Sequence, residues 1–146
     1  MAAMEDVADA GKGFALKDAT NLGRYVYHGK VDGYVACFRK EVPKLQAVHL
    51  YAVPKSEKCP DKLGAKAAAP RFSNLVGNRV DDSLLAALMT GYHPDRLKVF
   101  NAADPQTPVA EPKSLAGWQV CTQQPPAGAE FKASAEVRLY AAKKCP

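Results

Sequence analysis

No apolar run in this chain approaches the ~20 residues needed to span a bilayer. No basic segment followed by an apolar core marks a secretory leader. G-x-S-x-G, H-E-x-x-H and a glycine-rich phosphate loop are all missing, so the standard signatures of hydrolases, zinc peptidases and nucleotide-binding enzymes give no lead. Cysteines are few: Cys37, Cys59, Cys121 and Cys145. None stands two to four residues from another, so the spacing of a structural zinc site is missing as well. The sequence therefore points to no metal, no cofactor and no catalytic residue.

What is present is enough for a folded core. Hydrophobic residues make up 47% of the 146 and charged residues 24%, which excludes a chain disordered throughout. The length suits one ordinary domain or two small ones in tandem. The net charge of +5 is unevenly placed. Residues 1–20 hold Glu5, Asp6, Asp9 and Asp18 against Lys12 and Lys17, so the positive excess belongs to the remainder. That excess favours anionic partners without naming one, and a lysine-rich soluble surface gives the same count.

The four cysteines are even in number and widely spaced. Cys145 is the penultimate residue, where a core thiol makes little sense and a bridge would tie down a fraying end. Two disulfides and an oxidising compartment follow; the alternative is four free thiols in a cytosolic domain. Three pairings are open to four cysteines, and an internal echo bears on the choice. Gly33-Tyr34-Val35-Ala36-Cys37 matches Gly117-Trp118-Gln119-Val120-Cys121, Leu50-Tyr51-Ala52 matches Leu139-Tyr140-Ala141, and Lys58-Cys59-Pro60 matches Lys144-Cys145-Pro146. Three landmarks in one order read as a diverged duplication. If each copy keeps its own bridge, the pairs are Cys37–Cys59 and Cys121–Cys145, each worth on the order of 3 kcal/mol in the chain-entropy account.

In the second half, Asp81 and Asp82 before a leucine-rich run and Gly91 after it predict a helix over 81–90, with an aspartate cap and a buried stripe of Leu84 and Leu88 with Val80, Leu85 and Ala87 nearby. Strands are expected at 98–100, 118–122 and 131–140. The last alternates Phe131, Ala133, Ala135, Val137 and Leu139 with polar positions. Residues 104–112 form a proline-rich loop. In the first half, 16–22 reads as a short helical segment ending at Gly23, with strands at 25–27, 34–38 and 45–53.

With these elements placed, residues 70–142 resemble a PASTA domain, the small repeat of penicillin-binding proteins and of the outer portions of bacterial serine/threonine kinases. Asn74-Leu75-Val76-Gly77 fits the family's opening, and Gly77 to Gly91 fits its helical span. Val120, Gln123, Pro125 and Gly128 fit its Val-x-x-Gln-x-Pro-x-x-Gly signature, with Phe131, Val137 and Leu139 at the inward positions of the following strand. In that signature the glycine supplies a positive φ and the glutamine bonds the bent backbone across the turn. The first half resembles the family less closely: Gly13 to Ala19 fits a helix start, but Arg39 and Glu41 stand where glutamine and proline belong, and the corner glycine is missing. The expected fold is α+β, two tandem PASTA-like repeats, each a short helix packed on a three-stranded antiparallel sheet. Residues 5–59 are the degenerate copy, 60–69 the linker and 70–146 the clear copy.

Two chemistries compete with that reading. Cys37 with His49 would make a thiolate–base pair, but only if Cys37 is unbridged; His28 and His93 sit in turns as ordinary surface histidines. A basic aromatic strand around Tyr25, Tyr27, Tyr34 and Phe38 suggests nucleic acid, but the stretch around Gly33-Tyr34 fails the RNA-binding consensus beyond those two residues, and an oxidising compartment argues against it. The resemblance implies a non-enzymatic, extracytoplasmic (secreted, periplasmic or cell-surface) module that recognises cell-wall peptidoglycan fragments. Trp118, Gln123, Arg138 and Tyr140 are its candidate ligand-binding residues. The alternative is a secreted or surface protein–protein interaction module or inhibitor, whose partner is another extracytoplasmic protein.

Overall fold

The computed structural model describes residues 13–146; Glu5, Asp6, Asp9 and Lys12, and the start of the first expected repeat, lie outside them. The chain divides into two compact units, one ending at Ala68 and the other beginning at Ala69. The fold is α+β: two three-stranded sheets and one main helix.

The first unit is built on β1 (Gly13–Asp18), β2 (Tyr34–Val42) and β3 (Ala47–Pro54), in the order β1-β3-β2. Strand β3 lies in the centre, and its period of two places Val48, Leu50 and Ala52 on the core side, each at most 1% exposed. A 3-10 turn over Pro43–Leu45, completed by Gln46 at φ 47°, returns β2 onto β3 as an antiparallel pair. Strand β1 runs parallel to β3, with Leu16 opposite Leu50. The sheet is therefore mixed, not antiparallel as expected. A short turn enforces antiparallel neighbours, whereas the long connection from β1 to β2 lets β1 take the far edge in the opposite sense.

The helical segment expected at 16–22 is also corrected. Asp18 ends β1 by turning its carboxylate inward, where it accepts from the N–H of Thr20 at 3.0 Å, the Thr20 hydroxyl at 2.9 Å and the N–H of Arg24 at 3.1 Å. A carboxylate that captures nearby N–H groups offers the backbone a turn in place of a helix. Residues 25–27 form no strand; the chain goes through a 3-10 segment at His28–Gly33. No α-helix occurs in this unit among the described residues.

That turn is locked by charge. The Arg24 guanidinium is 4% exposed; its Nε lies 3.0 Å from Asp18, and it meets the Glu57 carboxylate at 2.6 and 3.0 Å. Burial opposes the charged form of Asp18. The Arg24 guanidinium and the N–H groups of Thr20 and Arg24 outweigh it and hold the carboxyl below its ordinary range. Burial likewise opposes the Arg24 cation, and Glu57 and Asp18 hold it firmly protonated. The triad ties the segment after β3 to the end of β1. Residues 61–67 are also fastened here, through Gly64 N–H to Ala19 O at 2.8 Å and Ala67 N–H to the Asn21 side chain at 3.0 Å.

The second unit holds α1 (Val80–Thr90), β4 (Leu97–Asn101), β5 (Gln119–Gln124) and β6 (Val137–Ala142), with strand order β4-β6-β5. Strand β4 is parallel to β6 and β5 is antiparallel to it, so this sheet is mixed for the same reason. The helix starts one residue before its expected position. Arg79 takes the cap position, while Asp81 and Asp82 lie in the first turn, Asp81 pairing with Arg79 at 3.0 Å. Of the expected stripe Val80 and Ala87 are buried, joined by Ser83, while Leu84, Leu85 and Leu88 are only partly buried, and Ser83 Oγ is sealed by donating to Arg79 O at 2.7 Å. The last strand begins at Val137; residues 132–135 form a turn closed by Ala135 N–H to Lys132 O at 3.0 Å. Phe131 remains buried outside the strand, against Tyr92, which also meets Phe72.

The bridges are Cys37–Cys59 and Cys121–Cys145, both with Cα atoms 5.5 Å apart. Each first cysteine sits in a bulge: the ladder of β2 with β3 slips between Ala36 and Phe38, and that of β5 with β6 between Val120 and Thr122. A bulge leaves one residue out of the pairing, and in both sheets that residue is the one that reaches out to bind the tail.

Two outcomes test this account. Replacing Arg24 with Met strands the Asp18 carboxylate in the interior and should cost the first unit about 3–5 kcal/mol, read from hydrogen exchange of the β3 amides. Because Asp18 titrates lower folded than unfolded, its contribution is full above about pH 4 and drains as the pH falls below that; a first unit whose stability is flat from pH 5 to 2 would contradict the triad. In the second unit, the Tyr92 hydroxyl is buried with no hydrogen-bond partner among the described residues, and burial pushes its pKa up. Tyr92→Phe keeps the ring contacts and removes that uncompensated group, so thermal unfolding should show a gain of about 1 kcal/mol.

Candidate functional site

Strand β6 sorts its residues by parity. Val137, Leu139 and Ala141 are fully buried on the core side, which leaves Arg138 and Tyr140 on the outward face. The parallel register brings Lys98 beside Arg138 and Phe100 beside Tyr140. The Phe100 and Tyr140 rings stack at 4.9 Å with planes 18° apart, and the Arg138 guanidinium carbon lies 5.7 Å above the Phe100 ring. Phe100 is only 4% exposed although it belongs to the outward face, because Tyr140 and Arg138 lie over it. Arg138 Nε donates to Glu136 at 2.9 Å. The Tyr140 hydroxyl first, and Glu136 with it, raise the Arg138 pKa above its usual value. On β5, Thr122 and Gln124 complete the rows opposite Tyr140 and Arg138.

This face combines a supported aromatic plane with a fixed cation, a paired carboxylate and short polar side chains. Such a surface stacks against the apolar side of a ring and hydrogen-bonds its substituents.

Gln123 faces the other way, in register with Leu139. Its Oε1 accepts from Leu75 N–H at 2.6 Å, and its Nε2 donates to Ser73 O at 3.0 Å and to Pro125 O at 3.1 Å. It braces the corner formed by the cis Gln124–Pro125 bond and by Gly128 at φ 86°. Beside the corner lies an open groove of about 300 Å³, lined by Asn74, Val76, Thr122, Gln123, Pro126 and the Cys121 end of the bridge. Trp118 stands half-buried in the turn before β5, where its carbonyl accepts from Val80 N–H at 2.9 Å and so holds the start of α1. The four candidate residues thus divide: Arg138 and Tyr140 share a surface, Gln123 supports the corner, and Trp118 anchors the helix entry through its backbone.

Five members of the face, Lys98, Phe100, Thr122, Gln124 and Glu136, were not among the sequence candidates. Lys98 and Phe100 lie in a stretch that reads as a strand, but their position next to Arg138 and Tyr140 follows from a parallel pairing that local alternation does not encode. The Cys37–His49 pair has no chemistry to offer, since Cys37 is bridged and no free cysteine occurs among the described residues. His28 stacks on Phe14, and His93 Nδ1 accepts from Asp95 N–H. Comparison of the chain with family models, with curated proteins and with solved structures finds no match in any of the three.

The division of roles is measurable. Gln123→Ala leaves the Leu75 N–H and Ser73 O without their partner and should lower the stability of the second unit by about 1–3 kcal/mol. Arg138→Ala, at an exposed position, should stay within about 0.5 kcal/mol of the parent. Equal losses in urea titrations of the two variants would overturn the assignment of Gln123 as a brace.

Proposed function

We propose that this chain is an extracytoplasmic, non-catalytic binding module made of two diverged copies of one PASTA-like unit, and that the second copy recognises cell-wall peptidoglycan fragments through the outward face of β4, β5 and β6. The observation that carries the reading is the Phe100–Tyr140 stack with Arg138 fixed above it. It offers a stacking plane for a sugar ring and a cation for a carboxylate on the same ligand. Two disulfides support an oxidising compartment. The duplication is supported by the matching strand orders, by the bulge at the first cysteine of each bridge, and by the Leu-Tyr-Ala stretch that occupies the central strand of both sheets.

Titration of the full chain with a soluble disaccharide-tetrapeptide from peptidoglycan, followed by calorimetry, tests this. Saturable binding that weakens about tenfold in Tyr140→Ala and in Arg138→Gln is the expected result, each change removing roughly 1.4 kcal/mol. Binding unaffected by both variants, or no binding at millimolar fragment, would overturn the assignment.

A further inference from the structure

The outward face of the first sheet has its own composition. Tyr51, the counterpart of Tyr140 on the central strand, has Phe38 of β2 on one side and Lys17 of β1 on the other. In the next row, His49 lies between Ala15 and Lys40, and its ring meets Tyr51 edge-on at 6.4 Å. Lys17 and Lys40 are exposed, while Phe38, His49 and Tyr51 are partly exposed. No acid stands at any position in register on this face. The acids of these strands, Asp18 and Glu41, are in register with Ala52 and Val48 of the core side. Asp18 is bound to Arg24, and Glu41 is paired with Arg39 at 3.0 Å.

From this we infer that the first unit carries a second binding site, for a glycan bearing negative charge. Strands lie about 4.8 Å apart, so the face is roughly 10 Å across, with an aromatic row through it and a lysine toward each outer strand. Tyr51 and Phe38 offer flat apolar area to sugar rings, and Lys17 and Lys40 meet anionic groups on either side of the central strand. The two outward faces are not copies. In the second sheet the phenylalanine lies on the parallel-strand side of the central tyrosine, and a carboxylate, Glu136, stands beside Arg138. In the first sheet the phenylalanine lies on the antiparallel side and no carboxylate offsets the lysines. The first face is thus the more selective for anions. Single-stranded nucleic acid also joins stacking groups to charge, but the two disulfides point to an oxidising compartment, which argues against it. The site uses no residue of the second unit and stands or falls without Tyr140 and Arg138.

The test uses the full chain with a hexamer of galacturonic acid, which carries a carboxylate on every sugar, and with neutral maltohexaose, hexaglutamate and a six-base oligothymidylate as comparators. The expected result is saturable binding of hexagalacturonate that weakens as salt is raised, with NMR shifts at Lys17, Phe38, His49 and Tyr51. Lys17→Gln together with Lys40→Gln should weaken it about tenfold, and Tyr51→Ala should weaken it comparably. Both lysines are exposed, so the double variant keeps the fold, and unchanged amide shifts in the core strand confirm that. Equal binding of maltohexaose, tighter binding of hexaglutamate or oligothymidylate, shifts confined to the second unit, or an unchanged double variant would each overturn the site.

Discussion

Each sheet of this protein has three strands, and three strands cover a core on one side only. The chain that leaves the central strand is held back against the sheet by a disulfide to the bulge of the neighbouring edge strand. In the first unit this places Glu57 against Arg24, which in turn fixes Asp18 and the end of β1. In the second unit it places Cys145 beside Gln119, next to the residue whose carbonyl receives the first N–H of α1. The bridge thereby sets how the last strand ends, and through that contact how the first strand of one unit ends and how the helix of the other begins. With cores of this size, the entropy removed from the unfolded chain by closing two loops is comparable to the net stability of a small domain.

Legibility in the sequence varied with the range of the interaction involved. The turn residues of the second half spoke locally: Gly91 at φ 124° and Gly128 at φ 86° mark the helix end and the corner, and Gln123 bonds across that corner. Central strands are legible because Val48-His49-Leu50 and Val137-Arg138-Leu139 alternate cleanly. The beginning of the first half misled for a definite reason. Leu16 to Leu22 contains residues that suit a helix, and only the distant Arg24 and Glu57, by taking the Asp18 carboxylate inside, make it the end of a strand. Parallel pairing was hidden for the same cause, since no turn chemistry announces a partner separated by an intervening strand. Of the candidate binding residues, Arg138 and Tyr140 could be read from alternation; Lys98 and Phe100 needed the register.

The free side of each sheet is where the two units differ. Both central strands present a tyrosine outward, framed by aromatic and cationic neighbours, on a scaffold whose core side is nearly saturated with valine, leucine and alanine. The scaffold constrains the inward residues tightly and the outward ones little. A change such as Thr122 for Phe38, at corresponding places on the two antiparallel edges, alters the chemistry of the outward face without touching the core side. One architecture therefore holds two outward faces of different composition in a single chain.

The bulges carry a consequence of another kind. An open sheet ends in strands whose outer amide and carbonyl groups invite a strand from a second molecule. At Cys37 and at Cys121 the ladder is kinked out of step and a covalent crosslink stands on the edge. A regular strand cannot be laid along such an edge. The device that ties down each tail thus also closes one of the two edges of each sheet, β2 in the first and β5 in the second, to a strand from a second molecule.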